Sequence, residues 1–279
     1  MKPLVSVIMP CYNDGKYITE AVNSIIKQTY TNWELIIIDD GSDDICTIRI
    51  LNKLKRDNII ILRREHEGVV KARNTAISNS KGKYIIPMDA DDIAEPQLLE
   101  KYVEIAEMNP NIGIVYCIYE YFEMRQGIYN LPKYSIPNML VSNCINNTSL
   151  FRREDWERVD GYNSNMEMGC EDYDFWLSIL ELGRKVQLVP EVLLHYRVKS
   201  RAGRTTAIDI KREYAISNQI FENHKALYKE NWDSVMKVER EKIIALQEQI
   251  NCLYNEKYKW RMRLYRIPLL YKVLHKIFR

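Results

Sequence analysis

Three carboxylates follow a short apolar run in the first half of the chain. The stretch 84–97 reads YIIPMDADDIAEPQ and places Asp89, Asp91 and Asp92 within four positions. Carboxylates this close raise one another's pKa unless a positive group neutralises them. One aspartate could cap the helix that follows, but capping leaves the third carboxylate unexplained. A hard divalent cation explains the set better, because Mg²⁺ and Mn²⁺ prefer oxygen ligands and take one or two carboxylates when phosphates supply the rest.

A second acidic group lies at 169–175, which reads GCEDYDF. Acidic residues in the first turn of a helix stabilise that helix, and this is the structural interpretation. In the functional interpretation, a carboxylate beside a metal–diphosphate site takes a proton from an attacking hydroxyl. The segment alone favours the structural interpretation. Together with Asp89 and Asp91, the two interpretations carry equal weight.

The elements that must position these acids alternate between strand and helix. Hydrophobic periodicity predicts strands at 4–9, 34–39, 58–62 and 84–88, and helices at 17–26, up to Leu54, 69–80 and 96–108. Strands joined through helices predict an α/β fold with a mostly parallel sheet. Ligands of such sheets bind outside the carboxyl ends of the strands. The acidic loops DDGSDD (39–44) and DADD (89–92) both fall at such ends.

The pattern changes in the second half of the chain. A long strand is predicted at 112–124, an irregular stretch at 129–146 and a buried helix at 169–183. Two short strands are expected within 186–198, then a loop at 201–206 and helix to the end. Apolar positions at helical spacing within 236–260 are enough for a weak homodimer through a short coiled coil.

The composition is that of a soluble globular protein. The 279 residues are 46% hydrophobic and 28% charged, with a net charge of +2. No apolar run approaches the ~18 residues of a spanning helix, so we expect a cytoplasmic body, and no nucleic-acid partner. Six scattered cysteines without a C-x-x-C pair predict reduced core thiols. The four scattered histidines offer no zinc site.

The last segment of the chain differs in composition from the residues before it. Residues 256–279 hold eight Lys/Arg and one acid, interleaved with an apolar stripe. The stripe consists of Trp260, Leu264, Ile267, Leu270, Tyr271, Leu274 and Phe278. This pattern favours a basic amphipathic tail on an anionic membrane, peripheral on the inner face of the cytoplasmic membrane. Packing of the tail against the body is the alternative.

Six motifs, in order, carry a family resemblance. VSVIMPCYND, IIIDDGSDD, GVVKARNTAI, YIIPMDADD, LFRRE and CEDYDFWLSI resemble the inverting glycosyltransferases of family 2, of the kind that build bacterial polysaccharides and cell-surface glycans. The resemblance covers about residues 4–200. It implies a GT-A domain at 1–205, with a nucleotide-sugar half at 1–110 and an acceptor and catalytic half at 111–205. A helical extension at 206–279 would follow, ending in the basic tail.

The resemblance also assigns residues. It implies that the donor nucleotide is bound by Pro10, Tyr12, Asp40, Lys71, Arg73 and Asp89, with Asp40 suited to accept the N3–H of uracil. Asp91, with Asp89, would hold Mg²⁺ or Mn²⁺, and Asp92 would support them. Asp172 matches the catalytic base, and Glu171 is its neighbour. Trp176 is expected in the core.

One position departs from the family pattern. Members commonly end this region with Tyr-Arg-x-His, but YRVKSRAG places Lys199 where the histidine would stand. An ammonium cannot ligate a cation, and His195 lies ~13 Å away along a strand. Either water completes the metal shell or Lys199 contacts the donor diphosphate.

The implied reaction moves a sugar, a hexose or N-acetylhexosamine, from a nucleoside-diphosphate donor, expected to be UDP-linked. The acceptor would be a hydroxyl of a glycan or a lipid-linked glycan, and the anomeric configuration would invert. A nucleotidyltransferase acting on sugar phosphates is one alternative, although PCYNDGKY lacks its Gly-rich basic loop. A relative that binds sugar nucleotides without catalysis is another; Asp89, Asp91 and Asp172 argue against it and Lys199 for it.

Overall fold

The computed structural model describes residues 2–54, 56–199 and 210–265, with side chains up to residue 253. The chain divides into two compact units, Met1–Glu230 and Asn231–Arg279. The first unit is an α/β structure around one large sheet, and the second is built on one long helix.

The first part of the first unit alternates strands and helices. Its elements are β1 (Val5–Cys11), α1 (Ile18–Ile26), β2 (Trp33–Asp40), α2 (Ile45–Lys53), β3 (Ile59–Arg64), α3 (Val69–Ser78), β4 (Tyr84–Pro87), β5 (Ile93–Ala94) and α4 (Leu98–Met108). The predicted strands and helices are confirmed with ends shifted by at most two residues. The two-residue strand β5 was missed because it is too short to show a period.

The second part completes the sheet. Its elements are β6 (Ile112–Glu123), β7 (Gly127–Ile128), α5 (Ile136–Val141), β8 (Leu150–Arg152), α6 (Arg153–Arg158), α7 (Glu171–Glu181), β9 (Lys185–Val198), α8 (Ile210–Asn223) and α9 (Lys225–Glu230). The short helix α5 lies inside the stretch predicted to be irregular.

The sheet has the order β3-β2-β1-β4-β8-β6-β9-β5, with β7 paired to β6. The strands β3, β2, β1 and β4 are parallel, and so are β6 and β9. The carboxyl ends of β1, β2 and β4 therefore meet at one edge. That edge carries Asp40 at the end of β2 and Asp89 just beyond β4, which confirms the predicted placement of the acidic loops.

The prediction of two short strands within 186–198 was wrong, because β9 is a single strand. Cys117 on β6 pairs with Val189, and Ile118 pairs with Val192. Pro190 and Glu191 therefore lie at a bulge, where a proline removes no ladder hydrogen bond. The strand continues past the proline and carries Tyr196, Arg197 and Val198 to the acidic edge of the sheet.

The core lies between the sheet and its helices. Every residue of β2 is buried, as expected of a strand covered on both faces. Helix α1 buries Ile18, Ala21, Val22 and Ile25, which share one face at helical spacing. Trp176 is fully buried against Phe151 and Phe175, so its assignment to the core is confirmed.

The second unit contains α10 (Trp232–Tyr265). Ile243, Ile244, Leu246, Ile250 and Leu253 are exposed on this helix, and the predicted pairing of two copies through 236–260 stays a prediction. No helix within the described ranges is long and apolar enough to cross a lipid bilayer. The side chains of the basic tail, and the loop at 201–206, lie outside the described residues.

Candidate active site

The three carboxylates after β4 form one cluster. One oxygen each from Asp89, Asp91 and Asp92 lies within 4.8 Å of the others. The side chains of Asp89 and Asp91 are 37% and 15% exposed, whereas Asp92 is buried. Burial and the two neighbouring aspartates raise the pKa of Asp92 well above its usual range.

Arg197 on β9 holds this loop in place. Its backbone N–H donates to Asp92 Oδ1 at 3.0 Å, and its Nε donates to the carbonyl of Asp91 at 2.7 Å. Its guanidinium also pairs with Glu20 and Glu123. Arg197 thus joins β9, β6 and α1 to the acidic loop, an arrangement suited to positioning that loop.

Lys199 lies one residue beyond β9 and contacts the cluster directly. Its Nζ is 2.7 Å from Asp14 Oδ1 and 2.8 Å from Asp91 Oδ2. Partial burial lowers the pKa of Lys199, but the hydrogen bonds to Asp14 and Asp91 outweigh that effect and the net shift is upward. The ammonium therefore stays charged and neutralises part of the acidic loop.

Arg73 connects the two acidic groups singled out in the sequence. It lies on α3 with a 4% exposed side chain, donates to Asp89 Oδ1 at 3.1 Å and pairs with Glu171 at the start of α7. Its guanidinium also lies over the Tyr162 ring, 5.6 Å from the centroid. Arg73 Nε is buried with no hydrogen-bond partner among the described residues. Arg73 thus links the carboxylates of Glu171 and Asp89 through two ion pairs.

Asp172 lies beside these ion-paired side chains. Its Oδ2 accepts a hydrogen bond from Asn143 Nδ2 at 3.2 Å. Burial and the Glu171 carboxylate raise the pKa of Asp172 to about 6, although the charge of Arg73 lowers it. Asp172, Glu171, Arg73 and Asp89 line the same cleft, whose volume is about 450 Å³. A carboxylate with this pKa, open to a cleft, has the properties of a general base.

The residues assigned to the nucleotide lie around the ends of β1 and β2. Pro10 is in β1, and Tyr12, just after that strand, is 44% exposed and stacks on His66 with ring centroids 4.2 Å apart. Asp40 accepts from the backbone N–H groups of Glu67 and Gly68 at 3.2 and 2.9 Å. Both of its oxygens thus already fix the start of α3.

Lys71 occupies a different face of α3 from Arg73. Its ammonium is exposed and lies 3.1 Å from Glu67. Lys71 lines a shallow hollow with Arg64, Glu67 and Asn74, outside the cleft of Asp172. The structure therefore brings Arg73, Asp89 and Glu171 together and leaves Lys71 apart from them.

Several residues of the candidate site were not identified from the sequence. They are Asp14, His66, Asn143, Asn147 and Arg197; Asn147 donates to Asp89 Oδ1 at 3.2 Å. Arg197 could have been identified from the sequence, because a basic residue in YRVK is the expected partner of three acids. Asn143 lies in the stretch 129–146, and Asn147 directly follows it, where no periodicity places a side chain. His195 is held between Glu95 and Glu120 at 2.6 and 2.9 Å, so both of its ring nitrogens are engaged by these glutamates.

The donor atoms of the cluster suit a hard divalent cation. Asp89 and Asp91 offer carboxylate oxygens, the ligands that Mg²⁺ and Mn²⁺ prefer. Asp92 is committed to the backbone of Arg197, so two carboxylates remain. Two is the number expected where phosphate oxygens supply further ligands.

Comparison with known proteins identifies the family. A family model described as glycosyl transferase family 2 matches residues 6–166. The chain belongs to glycosyl transferase family 2. An uncharacterized glycosyltransferase of Haemophilus influenzae is 34% identical over 236 residues, which cover 76% of this chain and 73% of that one. The family resemblance read from the six motifs is therefore confirmed.

Solved structures extend this to the fold of this family 2 glycosyltransferase. S. aureus TarS 1–349 in complex with UDP matches with a TM-score of 0.64 at 22% identity, covering 80% of this chain and 65% of that one. The mannosyltransferase PcManGT from Pyrobaculum calidifontis, in complex with GDP-Man and Mn²⁺, matches with a TM-score of 0.58 at 19% identity, covering 88% and 81%. The predicted GT-A fold is confirmed.

Proposed function

We propose that this family 2 glycosyltransferase transfers a hexose or N-acetylhexosamine from a nucleoside-diphosphate sugar to a hydroxyl of a glycan or lipid-linked glycan, with inversion. The observation that carries the proposal is the common cleft of Asp172 and Asp89, joined through Arg73 and Glu171. In this arrangement Asp172, the proposed base, and Asp89, a proposed donor-side carboxylate, would face one space.

The donor nucleotide would lie over the ends of β1 and β2. Pro10, Tyr12 and Asp40 would hold the base, with UDP as the expected nucleotide. The exposed ring of Tyr12 offers a stacking surface. The two solved neighbours were crystallised with UDP and with GDP-Man, which supports a nucleotide-sugar donor.

Asp89 and Asp91 would hold a Mg²⁺ or Mn²⁺ ion with the donor. Such a cation supplies positive charge for the diphosphate as the nucleotide leaves. Arg73 would add a fixed positive charge at Asp89, and Lys199 a mobile one at Asp91. Lysine binds phosphate as a point charge, so Lys199 would exchange its carboxylate partners for a diphosphate oxygen.

Asp172 would act as the general base. With a pKa of about 6 it is ionised at neutral pH, yet basic enough to accept a proton from a hydroxyl in the transition state. The oxygen of that hydroxyl attacks the anomeric carbon from the face opposite the nucleotide, which inverts the configuration. Direct displacement needs no nucleophile from the protein. Glu171, paired with Arg73, would keep the guanidinium in place.

Membrane attachment and self-association form a separate part of the proposal. The basic composition of 256–279 supports peripheral binding of the tail to the inner, anionic face of the cytoplasmic membrane. Such a position would place the enzyme beside a lipid-linked acceptor. The exposed apolar residues of α10 support a weak homodimer.

The test is a panel of UDP- and GDP-linked sugars with Mg²⁺ or Mn²⁺, scored by nucleotide release and by proton NMR of the anomeric product. The proposal predicts one preferred donor, loss of release on chelation and an inverted product. Release of pyrophosphate from a sugar phosphate and a nucleoside triphosphate would support the nucleotidyltransferase alternative. Tight donor binding without turnover would support the non-catalytic alternative.

A further inference from the structure

His224 is a buried histidine at the junction of α8 and α9. Its Nε2 lies 3.2 Å from Asp174 Oδ1, and its Nδ1 lies 3.2 Å from Glu181 Oε1. The preceding residue, Asn223, also donates to Asp174 Oδ1, at 2.6 Å. A carboxylate oxygen only accepts hydrogen bonds, and a neutral imidazole has one N–H. His224 can therefore donate to both carboxylates only as an imidazolium.

Both carboxylates belong to α7, the helix that carries Asp172. Asp174 and Glu181 are seven residues apart, which is two turns along one face of the helix. Asp172 lies two residues before Asp174, and helix positions two apart do not share a face. Asp172 lines the cleft, whereas the fully buried Asp174 meets His224. His224 thus holds α7 by the face that does not carry Asp172.

The helix α9, which follows His224, contacts α5. The Tyr228 hydroxyl donates to the carbonyl of Leu140 at 2.8 Å. Asn143, two residues beyond the end of α5, is the side chain that donates to Asp172 Oδ2. The junction of α8 and α9 therefore contacts both α5 and α7, the two helices whose neighbouring residues meet at Asp172.

We propose that His224 is a positioning residue for Asp172: its imidazolium bridges two turns of α7 and fixes the first turn of that helix against the junction of α8 and α9. This rests on the proposed role of Asp172 as the base. Replacing a buried ion pair by apolar residues is often neutral or stabilising, so stability alone does not explain this pair. The bridge fixes the direction in which α7 presents Asp172 to the cleft.

The charge of His224 makes this positioning depend on pH. Burial lowers the pKa of His224, but the carboxylates of Asp174 and Glu181 outweigh burial and raise the pKa above its usual 6.5. The loop before α7 packs against the same junction with Asn165 and Met166, which do not titrate. The bridge is therefore complete below pH 6.5 and loses one contact as the pH rises through the raised pKa. Because the neutral ring keeps the other contact, kcat should step down to a lower plateau and not to zero.

Two variants separate the charge of His224 from its shape. His224→Phe keeps a ring and removes both contacts, so kcat should fall by up to about 10²-fold, the cost of misplacing a reacting group, at the parent's donor affinity. His224→Gln can donate to Asp174 without a charge, so it should recover most of kcat and lack the alkaline step. Lys225→Ala, which removes an exposed ion pair with Glu222, is the neighbouring control and should change neither.

Hydrogen exchange followed by mass spectrometry measures the positioning without any sugar transfer. In His224→Phe, amides of 171–176 should exchange about tenfold faster, the mark of local opening, after correction for the intrinsic rate at each pH. The same amides of the parent should lose protection as the pH rises above 6.5. Amides of β1 and β2 should keep theirs.

Unchanged kcat or unchanged protection of 171–176 in His224→Phe would overturn the inference and leave the proposed function standing. If His224→Phe does not fold, His224→Gln decides, because an alkaline step that persists in this variant would also overturn the inference. A parent chain that transfers no sugar, but whose 171–176 amides lose protection in His224→Phe, would refute the proposed function and keep the contact between His224 and α7.

Discussion

Lys199 Nζ lies 2.8 Å from Asp91 Oδ2, a carboxylate of the acidic cluster. The same ammonium is 2.7 Å from Asp14 Oδ1. A positive charge belonging to the chain itself therefore neutralises one of the carboxylates assigned to the cation. A cation bound to Asp91 and this ammonium would compete for the same oxygen.

Replacing Lys199 tests that competition. Lys199→Ala should bind Mn²⁺ alone about fivefold more tightly, the equivalent of an ion pair of about 1 kcal/mol. It should bind UDP with Mn²⁺ more weakly, because a phosphate partner is lost, and this loss should shrink as salt rises. Calorimetry measures both. Lys199→His should recover donor binding, with a stronger dependence on which metal is present.

Lys83→Ala removes an exposed lysine paired with Glu107 and is the matched control. If Lys199→Ala leaves both the Mn²⁺ and the UDP affinity at the parent values, Lys199 is only a surface residue of a loop.

The acid limb of the pH–rate profile should reflect the ionisation of the Asp172 carboxyl. A base works in its deprotonated form, so kcat/KM should fall tenfold per pH unit below about 6, the pKa to which burial raises this carboxyl. Arg73→Gln removes a charge that lowers this pKa, and should move the limb to higher pH. Arg73→Lys keeps the charge and should restore the limb. A limb that stays in place in Arg73→Gln, in a chain folded by circular dichroism, would contradict the assignment.

Arg197 should affect the affinity for the donor without contacting the donor. Arg197→Met removes hydrogen bonds to the Asp91 carbonyl and to two carboxylates. Charged hydrogen bonds of this kind are worth about 1.5–3 kcal/mol. The free energy of unfolding should therefore fall by about that amount, and donor affinity should also fall. Urea unfolding and UDP titration are the measurements. Arg158→Met, at a 52% exposed side chain, is the control; equal effects of the two variants would refute the positioning role.

The basic tail should control membrane binding. Deleting 258–279 should release the protein from anionic vesicles and leave UDP binding unchanged, since each basic group is worth about 1 kcal/mol near such a surface. Co-sedimentation across a salt series measures the effect. Equal pelleting of the two chains would contradict the membrane proposal, and unfolding on truncation would indicate packing of the tail against the body.

The positions of the acidic loops could be predicted because they depend on local rules. Apolar runs located β1, β2 and β4, and parallel strands bring their carboxyl ends to one edge. Asp40 and Asp89 could therefore be placed at one edge of the sheet. The metal-type cluster could be predicted for the same reason, since Asp89, Asp91 and Asp92 are neighbours in sequence.

The contacts between distant segments could not be predicted in this way. Arg73 meets Glu171, 98 residues away, and Lys199 meets Asp14, 185 residues away. The position of Lys199 also depends on the bulge at Pro190, which lets β9 run as one strand instead of two. Periodicity is blind to such a bulge, because it changes the register by inserting residues rather than by changing their type.

The proposed role of Asp172 is to take the proton of the attacking hydroxyl, and Asp172→Asn tests that role. The asparagine keeps the size of the side chain and can still contact Asn143, but it cannot accept the proton. With the preferred donor and acceptor, this variant should bind the nucleotide sugar with the parent's affinity and lose at least about 10²-fold in kcat, the lower end of a general base's contribution. Turnover at the parent's rate with unchanged donor affinity would contradict the account, and Glu171 would become the candidate base.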